Sequence, residues 1–286
     1  MRAALIVNPQ STRVTPERVE RIVAVLGPGL EVLETTRRGE ATEFARALGD
    51  SVERLYVFGG DGTFNEVLNG VDGRIPLGFI PGGGTSVLPR ALGLGRDPVA
   101  AARRLAVGTE RRIGLGRANG RRFAFAAGLG FDAEVVRRVD ALGRRADGRR
   151  PGDLTFARET ALTLAEHHLR LEPQVELVGL GRAAFVFVAN CSPYTYAGPV
   201  GLRFAPDASF DGGLDVFAPE RVPPRSLPWF VWWGLGNGSK HVRAHDLDRL
   251  ELRADRPLPF QMDGEALGDL DALTCESEPN AVTVLV

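Results

Sequence analysis

A chain of 286 residues is long enough for one large or two ordinary domains, each burying its own core. Apolar residues at 44% and charged residues at 25% exclude fibrous and disordered classes, and 35 glycines, well above the usual ~7%, announce many tight turns. Lys+Arg 35 against Asp+Glu 36 leaves a net charge of −1, which gives no electrostatic reason for a nucleic-acid partner. Lys240 is the only lysine, so a G-x-x-x-x-G-K-[ST] loop and a protein-kinase strand lysine are both excluded. Cys191 and Cys275 lack C-x-x-C spacing and fit reduced thiols, without a zinc site. The apolar run Ala3 to Val7 stops at Asn8-Pro9, too short for a signal-peptide core, and no stretch approaches a membrane span. These features predict a cytoplasmic protein, soluble or peripheral.

From Arg2 to about Gly108, short apolar runs alternate with helical periodicity, the grammar of a parallel α/β sheet. Strands are expected at Ala3 to Val7, Glu31 to Thr35, Arg54 to Phe58 and Ile75 to Ile80. Thr15-Pro16-Glu17 supplies an N-cap, a first-turn proline and an acid for the first helix, and further helices are expected near 40–48, 64–69, 88–92 and 97–107. After Gly108 the grammar changes. Arg111 to Arg117 and Arg121 to Ala127 flank Asn119-Gly120, a strong hairpin signal, so antiparallel pairing begins here. Strand signals at 185–190, 214–217, 247–253 and 259–262, with helical inserts at 132–142 and 154–169, make the remainder β-rich. The expectation is an α/β nucleotide-binding domain over 1–110 and a β-rich sandwich domain over 111–286, with the final strand 281–286 able to pack back on the first domain. The segment from Gly143 to Asp153 carries Arg144, Arg145, Arg149 and Arg150, which read as a solvated loop or as an attractor of anionic headgroups.

In a parallel sheet the turns after the strands converge on one edge. Here those turns are Asn8-Pro9, Gly59-Gly60-Asp61-Gly62-Thr63 and Pro81-Gly82-Gly83-Gly84-Thr85-Ser86. Glycines let backbone amides approach an anion, and the helix N-termini that follow add positive dipole ends, so this edge can hold phosphates without a lysine. Asp61 inside such a loop repels phosphate unless a divalent cation bridges them, a combination that points to metal-bound nucleotide. Tight strand-to-helix turning alone is the plainer reading of the glycines.

The run Val57 to Gly70, containing Gly59-Gly60-Asp61-Gly62-Thr63, resembles the signature of the diacylglycerol kinase and sphingosine kinase catalytic superfamily, which includes soluble bacterial lipid kinases. Asn8-Pro9 resembles its opening Asn-Pro, and Pro81 to Ser86 its second Gly-rich loop. Phe204 to Val216 and Asp263-Gly264-Glu265 resemble its two later motifs. The resemblance implies an NAD kinase-like α/β domain binding ATP with Mg2+, a β-sandwich domain, and transfer of the γ-phosphoryl to a lipid hydroxyl such as that of diacylglycerol. It implies that Asn8, Thr35, Gly59, Gly60, Asp61, Gly62, Thr63, Glu66, Gly84 and Thr85 hold nucleotide, with Asp61 organising magnesium. It favours Glu265 as general base with Asp263 orienting substrate or metal, the reverse assignment staying open. From some bacterial members it also implies a separate magnesium site on Ser209, Asp211, Gly212 and Leu214. The chain departs from the family at Ser86-Val87, where many members carry Asn-Asp, and at Gly212, where they carry a second aspartate.

Two rival functions remain at this stage: a kinase of a soluble substrate of the NAD kinase type, and a non-catalytic nucleotide- or lipid-binding protein. The expected partners are a lipid at a membrane surface, at the inner face if the protein is peripheral, with a homodimer left open. Gly128-Leu129-Gly130-Phe131-Asp132-Ala133 fits a dinucleotide fingerprint formally, but the strand before it belongs to a hairpin. Trp229-Phe230-Val231-Trp232-Trp233 reads as helix core or as an interfacial aromatic surface. His241 and His245 read as solvated. Pro259 to Met262 is expected to continue as a strand through Asp263 and Glu265, placing both acids on one face.

Overall fold

The computed structural model describes residues 2–143, 151–224 and 232–286. The chain divides into two compact units, Met1–Ile113 with Asn280–Val286, and Gly114–Pro279. Both the arginine-rich stretch 144–150 and Trp229 lie outside the described residues.

The first unit contains β1 (Ala3–Val7), α1 (Pro16–Leu26), β2 (Glu31–Glu34), α2 (Glu40–Leu48), β3 (Arg54–Gly59), α3 (Asp61–Leu68), β4 (Leu77–Pro81), α4 (Val87–Ala91) and α5 (Pro98–Ala106). Its strands run parallel in the order β4-β3-β1-β2. Both faces of such a sheet are covered, which is why β1 and β4 are buried at every position. The caps are those the sequence supplies. Thr15 accepts the N–H of Arg18 ahead of Pro16, and Asp97 accepts that of Ala100 at 2.7 Å ahead of Pro98. Phe64 of α3 packs edge-on against Phe79 of β4, ring centroids 5.2 Å apart, fixing the helix over the sheet.

β5 (Glu110–Ala118) leads into the second unit, where it pairs with β6 (Arg121–Phe123) across Asn119-Gly120, both at positive φ as the hairpin signal requires. There follow β7 (Ala126–Leu129), α6 (Phe131–Ala141), α7 (Asp153–Glu166), β8 (Val175–Leu177), β9 (Gly181–Ala183), β10 (Val186–Ala189), β11 (Thr195–Ala197), β12 (Val200–Leu202), β13 (Leu214–Phe217), β14 (Val242–Leu247), β15 (Arg249–Met262) and β16 (Glu265–Leu285). The main antiparallel run is β14-β13-β10-β7-β15-β16. Period-two alternation sorts its side chains into two cores. Val186, Val188 and Val216 join one, while Phe187 and Phe217 join an aromatic cluster with Phe131, Phe185, Phe204 and Trp233. The tail of β16 also serves the first unit, where Val284 pairs in parallel with Leu77 of β4.

Two expectations are corrected here. The single strand expected at 247–253 is two strands, because Asp248 separates β14 from β15. His241 is no solvated side chain: its ring lies 4.2 Å from that of Trp233, and burial, followed by Lys240 and Arg243, pushes its pKa down to about 4.

Candidate functional site

In the first unit, the turns after β1, β3 and β4 meet at one sheet edge. The Gly82 N–H donates to the Gly59 carbonyl at 2.7 Å, and the Arg13 N–H donates to the Gly82 carbonyl at 2.8 Å. A Cβ on Gly82 would sit 2.8–3.0 Å from the Gly59 backbone, so this approach demands glycine. Asn8 fixes its own turn by accepting the Gln10 N–H at 3.0 Å, while its Nδ2 donates to the Thr63 hydroxyl at 2.8 Å. α3 starts at Gly60 without a side-chain cap, leaving its N-terminus available to an anion. Nothing lies within 4 Å of where a Gly84 Cβ would stand, so that part of the loop is open.

Three predicted nucleotide residues have architectural partners. Asp61 accepts the N–H groups of Val87 and Leu88 at 3.1 and 3.2 Å, tying the first Gly-rich loop to the second. Glu66 accepts the N–H groups of Gly39 and Ala41 at the start of α2, so its carboxylate anchors the loop after β2. Thr35 is buried, and its hydroxyl donates to the Val7 carbonyl at 3.4 Å. Ser86 adopts a left-handed φ of 50° and exchanges hydrogen bonds with Gly83.

Four arginines outside the motifs stand around this edge. Arg96 donates to the Gly84 carbonyl at 3.4 Å and Arg90 to the Thr85 carbonyl at 3.4 Å. Arg13 donates to the Arg96 carbonyl, and Arg18 to the Arg13 carbonyl. Burial, then the like charges of Arg96 and Arg18, pull the Arg13 guanidinium below its ordinary pKa, with Asp97 opposing. Cations crowded against open Gly-rich backbone make a strongly anion-attracting edge. The available signal was sequence position: Arg13 and Arg90 stand four residues past Pro9 and Ser86 respectively.

In the second unit, Asp263 and Gly264 form a two-residue turn with φ of 48° and 75°, and Met262 pairs with Glu265. The strand therefore does not continue through the motif: Asp-Gly is itself a hairpin signal, and here it wins over the extended reading. Asp263 is buried, and its two oxygens accept the N–H groups of Ala124, Phe125 and Ala126 at 2.7, 3.0 and 3.3 Å. Asp263, expected to orient substrate or metal, thus also ties the turn to the 124–126 segment. Glu265 keeps a partly exposed side chain, with Arg121 3.8 Å away.

Ser209, Asp211 and Gly212 line a cavity of about 200 Å³ together with Asp207, Gly213, Asp215, His245 and Asp246. Leu214 does not line it; its side chain joins the core. Asp215 takes His245 at 2.6 Å, and the hydrogen bond and charge of Asp215 hold the imidazolium above its usual pKa. Among the described residues no three His, Cys, Asp or Glu side chains converge as a metal cage. The oxygen-rich lining fits magnesium, which keeps several waters and needs one or two carboxylates.

Residues 2–118 match the family described as diacylglycerol kinase catalytic domain, and residues 126–286 the one described as YegS C-terminal NAD kinase beta sandwich-like domain. The chain belongs to this diacylglycerol kinase and YegS superfamily. It is 37% identical over 142 residues to a diacylglycerol kinase of Staphylococcus carnosus (strain TM300), covering 47% of this chain and 46% of that one. The chain spans about half the length of the curated relatives it matches. Its fold resembles a diacylglycerol kinase from Bacillus anthracis str. Sterne at a TM-score of 0.73 and 21% identity, over 99% of this chain and 96% of that one. It also resembles an NAD kinase from Archaeoglobus fulgidus in complex with ATP at a TM-score of 0.52 and 15% identity, over 99% and 93%. The fold is the predicted one, a parallel-sheet α/β unit and a β-rich unit. Among the described residues no helix is long and apolar enough to cross a membrane.

Proposed function

We propose that this protein is an ATP-dependent lipid kinase whose acceptor is diacylglycerol and whose product is phosphatidic acid. The observation that carries this reading is the edge of the first unit, where two Gly-rich turns and the Asn8 turn meet beside Arg13, Arg90 and Arg96. In this reading Asn8, Gly59, Gly60, Gly62, Thr63, Gly84 and Thr85 bind the nucleotide, with Arg13, Arg90 and Arg96 neutralising phosphate charge. Glu66 and Thr35 act through the loop and strand they hold. Magnesium held by Asp61 would supply further charge neutralisation on the phosphates, and the Ser209–Gly212 cavity of the second unit would hold a separate magnesium. Glu265 accepts the proton of the acceptor hydroxyl as the new O–Pγ bond forms and the bond from Pγ to the bridging oxygen breaks, releasing ADP. The lipid acceptor implies action at a membrane surface, peripheral at the inner face.

The test is incubation with γ-labelled ATP and a panel of lipid acceptors in mixed micelles. Labelled phosphatidic acid is expected. Label transferred to NAD instead would establish the soluble-substrate reading, and nucleotide binding without transfer to any acceptor would establish the non-catalytic one.

A further inference from the structure

A polar network lies beneath the turn that carries Glu265. Asp132, at the start of α6, is buried; one carboxylate oxygen accepts from the Tyr194 hydroxyl at 2.6 Å and from Gln261 Nε2 at 2.9 Å. Its other oxygen has no partner among the described residues. A Cβ on Gly128 would lie 2.2–2.7 Å from this carboxylate, so the acid occupies space that any larger residue at 128 would take. The Tyr194 ring stacks on Phe187 with centroids 4.7 Å apart, which fixes where its hydroxyl stands.

The donor logic runs in one direction. An ionised carboxylate only accepts, so Tyr194 and Gln261 Nε2 must both donate to Asp132. The same Nε2 lies 3.0 Å from the Tyr194 oxygen, whose proton is already directed at Asp132. This fixes the Gln261 amide with its oxygen turned the other way, where it accepts the N–H of Gly264 at 3.0 Å. Gly264 is the residue immediately before Glu265. With Asp263 clamped by Ala124, Phe125 and Ala126, both turn residues are held by buried side chains.

Burying a carboxylate carries a desolvation cost that an apolar side chain of similar size would not, and burial pushes the Asp132 pKa up to about 6. We infer that Asp132, Tyr194 and Gln261 are positioning residues that fix the Gly264 amide and thereby the placement of the Glu265 carboxylate for proton transfer. This rests on the proposed role of Glu265 as general base. Misplacing a base by about 1 Å costs up to ~100-fold in turnover, which gives the network a function its packing alone lacks.

The experiment combines kinetics with an observable that needs no catalysis. Gln261→Leu and Tyr194→Phe are measured in the wild-type and Glu265→Gln backgrounds with ATP and diacylglycerol in mixed micelles, and Gly264 amide exchange is followed by NMR. The expected result is a roughly 10- to 100-fold fall in kcat with both KM values little changed, no further fall in the Glu265→Gln background, and faster Gly264 exchange in Gln261→Leu. Equal losses in both backgrounds, unchanged Gly264 exchange, or a raised acceptor KM at constant kcat would overturn the inference, the last by placing the network in acceptor binding. If Glu265→Gln itself leaves kcat intact, the general-base reading fails instead, and Gly264 exchange still reports whether the network holds the turn.

Discussion

The Asp61 carboxylate accepts the N–H of Val87 at 3.1 Å, so the acid of the first Gly-rich loop caps the helix that follows the second. With Leu88 bound at 3.2 Å, both oxygens have backbone donors. Asp61→Asn replaces one acceptor by an NH2 group facing an N–H. The variant is expected to lose about 1–3 kcal/mol of stability in addition to ATP binding. Denaturant titration and calorimetry with Mg-ATP read the two effects separately; full stability together with lost nucleotide binding would confine Asp61 to a ligand role.

Gly82→Ala tests the contact between the loops without touching a charge. The added methyl would stand 2.8–3.0 Å from the Gly59 backbone, and backbone cannot swing aside as a side chain can. A stability loss of about 1–3 kcal/mol and weaker ATP binding are expected. Gly84→Ala, at an open position, is the control expected to leave stability nearly unchanged.

Most of the fold was legible because period-two and helical patterns dominate the sequence. Leu214–Phe217 is a strand over the residues that its pattern gives, and Thr15-Pro16 opens α1 as its capping chemistry requires. The misreadings share a physical cause. At Asp263 a strand-like approach and a turn dipeptide compete, and the turn wins because distant amides at 124–126 reward the left-handed conformation, which no local pattern reveals. Glu66 and Asp61 are legible as motif acids, but their backbone partners, amides 25 to 27 residues away, are not. The arginines were legible only by their nearness to the loops, because positions 13, 90 and 96 are brought together by the sheet edge.

The tryptophan segment divides by burial. Trp233 is 4% exposed inside the aromatic cluster, whereas Trp232 is 50% exposed and Leu235, three residues on, is 48% exposed. If the segment meets a lipid surface, Trp232 is the indole of this pair exposed to do so. Adding anionic vesicles should blue-shift the tryptophan fluorescence; Trp232→Ala should diminish that shift and Trp233→Phe should preserve it. An unchanged shift in Trp232→Ala would remove this surface from the membrane contact.

Asp132 gives a pH signature. Its pKa is raised from 3.8 to about 6 by burial, with Tyr194 and Gln261 opposing. A raised carboxyl pKa means the folded state binds the proton more tightly, so this contribution to stability is complete below about pH 4 and is lost as pH rises toward 6. The difference corresponds to roughly 3 kcal/mol. Unfolding free energies of wild type and Asp132→Asn measured between pH 4 and pH 7 should diverge in slope across that window. Parallel curves would show that the carboxyl keeps an ordinary pKa.

Asp263 and Glu265, two residues apart, are expected to fail in different ways. Asp263 is enclosed, and its oxygens serve the N–H groups of Ala124, Phe125 and Ala126, so Asp263→Asn sets an NH2 group against amides that need an acceptor. A loss of about 2–4 kcal/mol in stability is expected, from one broken charge-assisted bond and the donors left unpaired. Glu265 stands past the turn, its side chain 13% exposed, with Arg121 3.8 Å away. Glu265→Gln preserves shape and most hydrogen bonding but cannot take the acceptor proton, so kcat should fall by ~10²–10⁴ with ATP affinity and melting temperature nearly unchanged. Measuring turnover and stability on both variants separates the roles. If Asp263→Asn is fully stable yet inactive while Glu265→Gln turns over normally, the base is Asp263 and the clamp on the turn has been misassigned.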